Sequence, residues 1–187
     1  MSWANSIVGT KSKFFGQETR LCIHVYSMRR KRFLRAGSRY HVAARTNNRE
    51  ILLESDEARA LFVSVLERAH EKYRFSIDSF VIMGNHFHII ILPGEGESLS
   101  SIMQWIMSVF ARAYNRRYNR TGHFWGDRFA SWLLDSIRQI LRTILYIEEN
   151  PVKAGLVDRS DVWIWGSLWH RRNRRLAFLS EPDSWLT

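Results

Sequence analysis

The sequence holds one cysteine, Cys22. An intrachain disulfide is therefore excluded, and so is a zinc centre built on paired cysteines. Prolines number three and glycines ten, which excludes collagen-like and low-complexity composition. No internal repeat is present. No apolar run is long enough to span a membrane, and the opening stretch "MSWANSIVGTKSKFFG" lacks the apolar core of a signal peptide. Acidic residues are scarce, with 18 Asp and Glu against 28 Lys and Arg, for a formal net charge of +10. The expectation is a cytoplasmic protein, with no membrane partner, whose binding partner is a polyanion.

At 187 residues with 45% hydrophobic content, the chain has the length of one domain with a tail and enough apolar material for a core. Its basic residues fall in three runs: "RRKRFLR" (29–35), "RAYNRRYNR" (112–120) and "HRRNRR" (170–175). A single basic run is most often a solvated face. Three of them, interleaved with Tyr, Phe and Trp, suit phosphate contacts beside surfaces on which bases stack. The candidate nucleic-acid contacts are Arg112, Arg116, Arg117, Arg120, Arg128, Arg142, Arg171, Arg172, Arg174 and Arg175.

Residues 39–45, "RYHVAAR", alternate as a strand does, with His41, Ala43 and Arg45 on one face. Ser55 followed by Asp56 and Glu57 starts a helix, with Ala58, Phe62, Val65, Leu66, Ala69 and Tyr73 at core spacing. Two strands, 75–83 and 86–92, meet at Gly84-Asn85 as a hairpin. Being apolar on both faces, they are expected in the centre of a sheet. "LPGEGES" (92–98) breaks the sheet and does not match a dinucleotide fingerprint. A helix from about Ser98 to Tyr118 points Met103, Ile106, Met107 and Phe110 inward and its arginines outward. A loop (119–128), a strand (129–135) and a helix (136–150) that stops before Pro151 complete the pattern. The order implies an α+β fold, an antiparallel sheet with helices packed on it. The domain plan is a basic N-terminal segment (1–38), a folded domain (39–157) and a basic, Trp-rich C-terminal tail (158–187).

Within the hairpin, "VIMGNHFHIIIL" (81–92) places His86 and His88 one residue apart in an apolar run. On a strand the two imidazoles share a face and can converge on one atom. They are either a pair of satisfied structural histidines or half of a metal site that needs a third ligand. In the last helix, Ile137, Ile140, Leu141 and Ile144 form an apolar stripe, while Tyr146 and Asn150 lie on the opposite side at i and i+4. Separately these are an exposed tyrosine and a helix-terminal asparagine. Jointly they offer an oxygen ligand one turn from a phenol.

The motifs "MGNHFHIII", "GHFWGDRF" and "YIEENPVKAGLV", in that order, resemble the REP-associated tyrosine transposases. These are small relatives of the single-tyrosine HUH (His-hydrophobic-His) transposases. The likeness runs from "YHVAAR" to "NPVKAGLV", over half the chain. It implies a ferredoxin-like fold of the HUH endonuclease type over residues 39–157. It further implies His86, His88 and Asn150 as ligands of a divalent metal, Mg²⁺ or Mn²⁺, and Tyr146 as the nucleophile toward DNA. Two imidazoles with an amide oxygen suit Mn²⁺ somewhat better by ligand type. Relatives commonly carry proline where this chain has Gly84, so a local change in that turn is expected.

The implied activity is a metal-dependent single-stranded DNA endonuclease and strand-transferase acting through a 5′-phosphotyrosine, on hairpin or palindromic repeat DNA. An ordinary tyrosine pKa of about 10 calls for a metal or a nearby cation to activate the phenol, and Arg142, one turn before Tyr146, is a candidate. The alternative is a catalytically inactive, basic nucleic-acid-binding protein. On either reading the chain is expected as a monomer or homodimer. A structural zinc protein fits poorly. The segment "HRRNRR", with Trp163, Trp165 and Trp169 ahead of it, is read either as a DNA-recognition tail or as a folded tail whose tryptophans pack on the core.

Overall fold

The structure is a computed structural model that describes residue 35, residues 37–173 and residues 176–181. The run "RRKRFLR" lies almost wholly outside the described residues, as does nearly all of segment 1–38, and Arg174 and Arg175 lie outside them too.

Four strands, β1 (Arg39–Arg45), β2 (Phe75–Ile82), β3 (His86–Pro93) and β4 (Ala130–Leu134), form one antiparallel sheet in the order β2-β3-β1-β4. Helix α1 (Asp56–Lys72) joins β1 to β2, and α2 (Leu99–Arg117) joins β3 to β4. This β1-α1-β2-β3-α2-β4 order, with that strand arrangement, is the ferredoxin-like α+β fold. Both helices begin where a serine hydroxyl accepts an orphan amide: Ser55 Oγ from Ala58 N at 3.2 Å, and Ser98 Oγ from Ser101 N at 3.3 Å.

The faces of the sheet are divided by the two-residue period. Val42, Ala44, Phe87, Ile89 and Ile91 point to the layer that α1 and α2 cover with Phe62, Leu66, Ile106 and Phe110. The alternate residues, including Val81 and Ile90, face α3 (Ile137–Glu148) through Ile140, Ile144 and Ile147. His41, Ala43, Arg45, His86 and His88 therefore all belong to the α3 side.

The structure corrects three details. Of the two hairpin strands only β3 is internal; β2 is the end strand of the sheet. Its apolar character on both faces has a different cause: the C-terminal chain covers its open edge. Ile77 N donates to Phe178 O at 2.8 Å, Ser180 N to Ile77 O at 2.9 Å and Ile82 N to Trp165 O at 3.0 Å. Pairing of this kind leaves less open strand edge to shield with charge.

Second, the last predicted helix ends at Glu148, and Asn150–Lys153 forms a separate short helix, α4, with Pro151 in its first turn. Proline is tolerated there because that amide has no intrahelical partner anyway.

Third, the buried seam of α3 is Ile140, Ile144 and Ile147. Ile137 and Leu141 are more than 40% exposed, so the packed face is turned toward Tyr146 relative to the predicted stripe.

The C-terminal segment is also tied down by buried side chains. Phe178 joins the main core, Trp163 packs against the α3-side cluster, and Trp165 Nε1 donates to Asp56 Oδ1 at 2.9 Å. Asp78, fully buried on β2, is held by Arg39 Nε and Ser180 Oγ, each at 2.7 Å. Deleting the chain after residue 158 removes the buried Phe178, worth about 3–5 kcal/mol, together with the partly buried Trp163 and Trp165 and the hydrogen bonds along β2, against a total stability of about 5–15 kcal/mol for a domain. The truncated protein should lose its cooperative thermal transition by circular dichroism. A truncation that melts within about 5 °C of the full chain contradicts this role. Among the described residues, no helix is long and apolar enough to cross a membrane.

Candidate metal and nucleophile site

The site is assembled by register. In the β1–β3 ladder Arg45 pairs with His86, Ala43 with His88 and His41 with Ile90. Across β1, His41 pairs with Trp132 of β4. Ala43, directly opposite His88, contributes only a methyl, which leaves space for the His41 and His88 rings to meet diagonally. They do meet: His41 Nε2 and His88 Nδ1 are 2.9 Å apart. The His86 and His88 ring centroids are 5.1 Å apart in an edge arrangement. On α3, the Tyr146 ring lies edge-on to His88 at 5.5 Å and to His41 at 6.2 Å.

His86 is fixed from behind. Asn85 Nδ2 donates to Arg49 O at 3.1 Å, which turns Asn85 Oδ1 toward His86 Nδ1 at 2.8 Å. An amide oxygen can only accept, so His86 carries its proton on Nδ1 and presents a bare Nε2. The turn itself tolerates Gly84 closely: a Cβ there would meet Ile51 Cγ2 at 3.1 Å, and Gly84 O accepts from Leu53 N at 2.8 Å.

Burial keeps all three imidazoles neutral at ordinary pH. Desolvation lowers His41 to about 4; burial and then the charge of Arg45 lower His86 to about 4. His88 is held well below the usual value, first by burial and then by His41, His86 and Arg45. Neutral rings are the form that ligates a cation. A ring whose pKa falls on folding binds fewer protons in the native state, so its stabilisation is complete above the unfolded value of about 6.5 and lost as pH falls toward 4. His41 and His86 each contribute on the order of 3 kcal/mol over that window. Urea unfolding in EDTA should therefore show a marked loss of stability from pH 7.5 to pH 4.5, with a smaller loss in His86→Asn. An unfolding free energy that is flat over this range contradicts the assignment.

Among the described residues, no three His, Cys, Asp or Glu side chains converge as a metal cage. The sequence-predicted candidates are two imidazoles, His86 and His88, whose ring centroids are 5.1 Å apart, and the amide of Asn150. Asn150 Nδ2 donates to the Tyr146 carbonyl at 2.6 Å, which leaves Oδ1 as the free acceptor of that side chain. Two neutral imidazoles, one with its bare nitrogen fixed by Asn85, and a carboxamide oxygen one turn beyond the phenol suit a divalent cation of the Mn²⁺ or Mg²⁺ kind.

Two side chains at this site carried no role in the sequence reading, His41 and Arg45. Both lie on the predicted strand face, but their meeting with β3 depends on register, which local pattern does not encode. Arg45 is half-buried beside His86, and its Nε is buried with no hydrogen-bond partner among the described residues. A cation against the Tyr146 ring is Lys153, with Nζ 5.7 Å from the centroid; Arg142 is exposed on α3.

The remaining basic candidates divide by environment. Arg112, Arg116 and Arg117 are exposed on α2, and Arg128 is exposed in the loop after it. Arg112 and Arg128 line one cavity of about 820 Å³ together with Asn115, His123, Trp125 and Phe129. Arg120 is paired with Glu50 at 2.9 Å. Arg171 lies inside the fold, 3.7 Å from Glu148 and donating to the carbonyls of Asp78 and Ser180. Arg172 pairs with Asp161.

Residues 35–150, more than half of the chain, match the family model described as "Transposase IS200 like". A Haemophilus influenzae protein named as a REP-associated tyrosine transposase is 25% identical over 134 residues, spanning 66% of this chain and 74% of that one. A solved structure of a REP-associated tyrosine transposase bound to a REP hairpin superposes with a TM-score of 0.69. It is 21% identical and covers 82% of this chain and 92% of its own.

Proposed function

Because the chain belongs to the IS200-like transposase family, we propose that it is a metal-dependent single-strand DNA endonuclease and strand-transferase in which Tyr146 is the nucleophile. The observation that carries this reading is the Tyr146 ring lying 5.5 Å from His88, the inner of two neutral imidazoles on one strand face. A structural tyrosine has no need of that neighbourhood. His86 and His88, with Asn150, would hold Mn²⁺ or Mg²⁺, which would withdraw charge from the non-bridging oxygens of the scissile phosphate.

The chain's own residues account for the rest. Arg45, half-buried on the same face with its charge felt at His86 and His88, would favour an approaching phosphate electrostatically. The phenolic oxygen of Tyr146 attacks phosphorus, forming a 5′-phosphotyrosine, and the P–O3′ bond breaks to leave a 3′-hydroxyl. Lys153, whose Nζ lies 5.7 Å from the ring centroid and 2.9 Å from Glu149, is a cation beside the attacking phenol. The energy of the broken bond is kept in the phosphotyrosine, so a second 3′-hydroxyl can rejoin the strand. The cavity lined by Arg112, Arg128, Trp125 and Phe129 offers charge for the phosphates of the single strand and rings on which bases stack.

Hairpin DNA with a single-stranded flank is the proposed substrate, after the partner of the solved relative. The test is a denaturing gel of end-labelled hairpin DNA incubated with protein and Mn²⁺, where a label that migrates with protein is expected. DNA that is bound in a native gel but never cleaved or attached would leave a binding protein without chemistry.

A further inference from the structure

His41 takes no part in the scheme above, yet it is 6% exposed, stacked on Trp132 at 5.0 Å, and bonded to His88 at 2.9 Å. A hydrogen bond between two neutral imidazoles has one donor, so two arrangements are open. In the first, His41 Nε2–H donates to His88 Nδ1. His88 then carries its own proton on Nε2 and has no lone pair left for a cation. In the second, His88 Nδ1–H donates to His41 Nε2, and His88 Nε2 is bare.

We propose that His41 is a positioning residue that accepts the Nδ1 proton of His88 and so presents His88 Nε2 to a divalent cation. The inference rests on the reading of His86 and His88 as ligands. The two histidines are then served by different devices. Asn85 Oδ1 behind His86 can only accept, and its tautomer is set before any cation arrives. His41 behind His88 can accept or donate, so the competent tautomer is one of two and cation binding selects it. The Trp132 and Tyr146 rings, 5.0 Å and 6.2 Å from His41, hold it against turning away. A ligand's outer partner typically changes metal affinity 10–100-fold when removed.

The test uses the full chain and the metal alone. Mn²⁺ affinity is measured calorimetrically for wild type, His41→Leu and His41→Gln, the last keeping an oxygen acceptor near the Nε2 position. Ring tautomers of wild-type His88 are read by long-range ¹H–¹⁵N NMR at pH 7.5, without metal and with diamagnetic Zn²⁺. The expected results are affinity 10–100-fold weaker in His41→Leu, most of it recovered in His41→Gln, and His88 shifting to the Nδ1–H tautomer with Zn²⁺. Equal Mn²⁺ affinity in wild type and His41→Leu overturns the role of His41 while leaving the metal reading intact. Wild type that takes up no Mn²⁺ sinks both. Should His41→Leu fail to fold, the wild-type spectra decide alone: His88 keeping Nε2–H when Zn²⁺ is present overturns the proposal.

Discussion

Tyr146→Phe should abolish strand cleavage and covalent attachment while leaving the melting temperature and hairpin affinity close to wild type. The change removes only the hydroxyl; the half-buried ring still packs beside the cluster of Val81, Ile90, Ile144 and Ile147. Loss of a nucleophile that nothing replaces costs roughly four orders of magnitude or more in rate. Tyr114 and Tyr118, the other tyrosines in a basic segment, are controls. Tyr114 is buried among Phe110, Phe124 and Tyr118, and burial raises its pKa, which makes it a poor nucleophile. The Tyr118 hydroxyl is 3.3 Å from Ser55 Oγ, beside the start of α1. Tyr114→Phe and Tyr118→Phe should therefore keep cleavage within a few-fold of wild type. Cleavage surviving in Tyr146→Phe would falsify the assignment.

His86→Ala and His88→Ala should each reduce cleavage by a comparable factor, and EDTA should do the same to wild type, with activity restored by Mn²⁺. DNA affinity should change little, because non-specific binding comes chiefly from phosphate contacts by exposed cations, and Arg112, Arg116, Arg117 and Arg128 lie on other elements. The two variants should differ in stability. Truncating His88 leaves His41 Nε2 buried without its partner, a cost of about 1–3 kcal/mol. Among the described residues the side chain of half-buried His86 is bonded to Asn85 alone, so its removal is milder. Chemical denaturation of both variants in EDTA reads that difference, and equal stabilities contradict the buried His41–His88 pair.

How much of this was legible in the sequence depended on whether the information was local. The two-residue period of "HFHIII" and the helical spacing of Met103, Ile106, Met107 and Phe110 survive folding unchanged because each face meets a single apolar layer. The same logic put His86 and His88 on one face. It could not bring in His41, since only the β1–β3 register carries that ring to His88. Apolar content on both faces of β2 was correctly sensed, but its cause, the cover supplied by residues 165 and 178–180, is a contact between distant parts of the chain. In α3 the exposed Leu141 and Leu145 blurred the amphipathic pattern, so the seam was drawn off-centre. A basic run likewise does not say which arginines are free: Arg171 is consumed by Glu148 and two carbonyls, whereas Arg112 and Arg128 face a cavity.

Peptide mapping of the covalent product tests the central claim most directly. Wild-type protein is incubated with hairpin DNA carrying a single-stranded flank, with Mn²⁺ or with EDTA, then digested with nuclease and protease and analysed by mass spectrometry. The account predicts a nucleotide-phosphate adduct on the peptide containing Tyr146, formed with Mn²⁺ and absent in EDTA. An adduct on any other residue, or one that forms equally in EDTA, would contradict it.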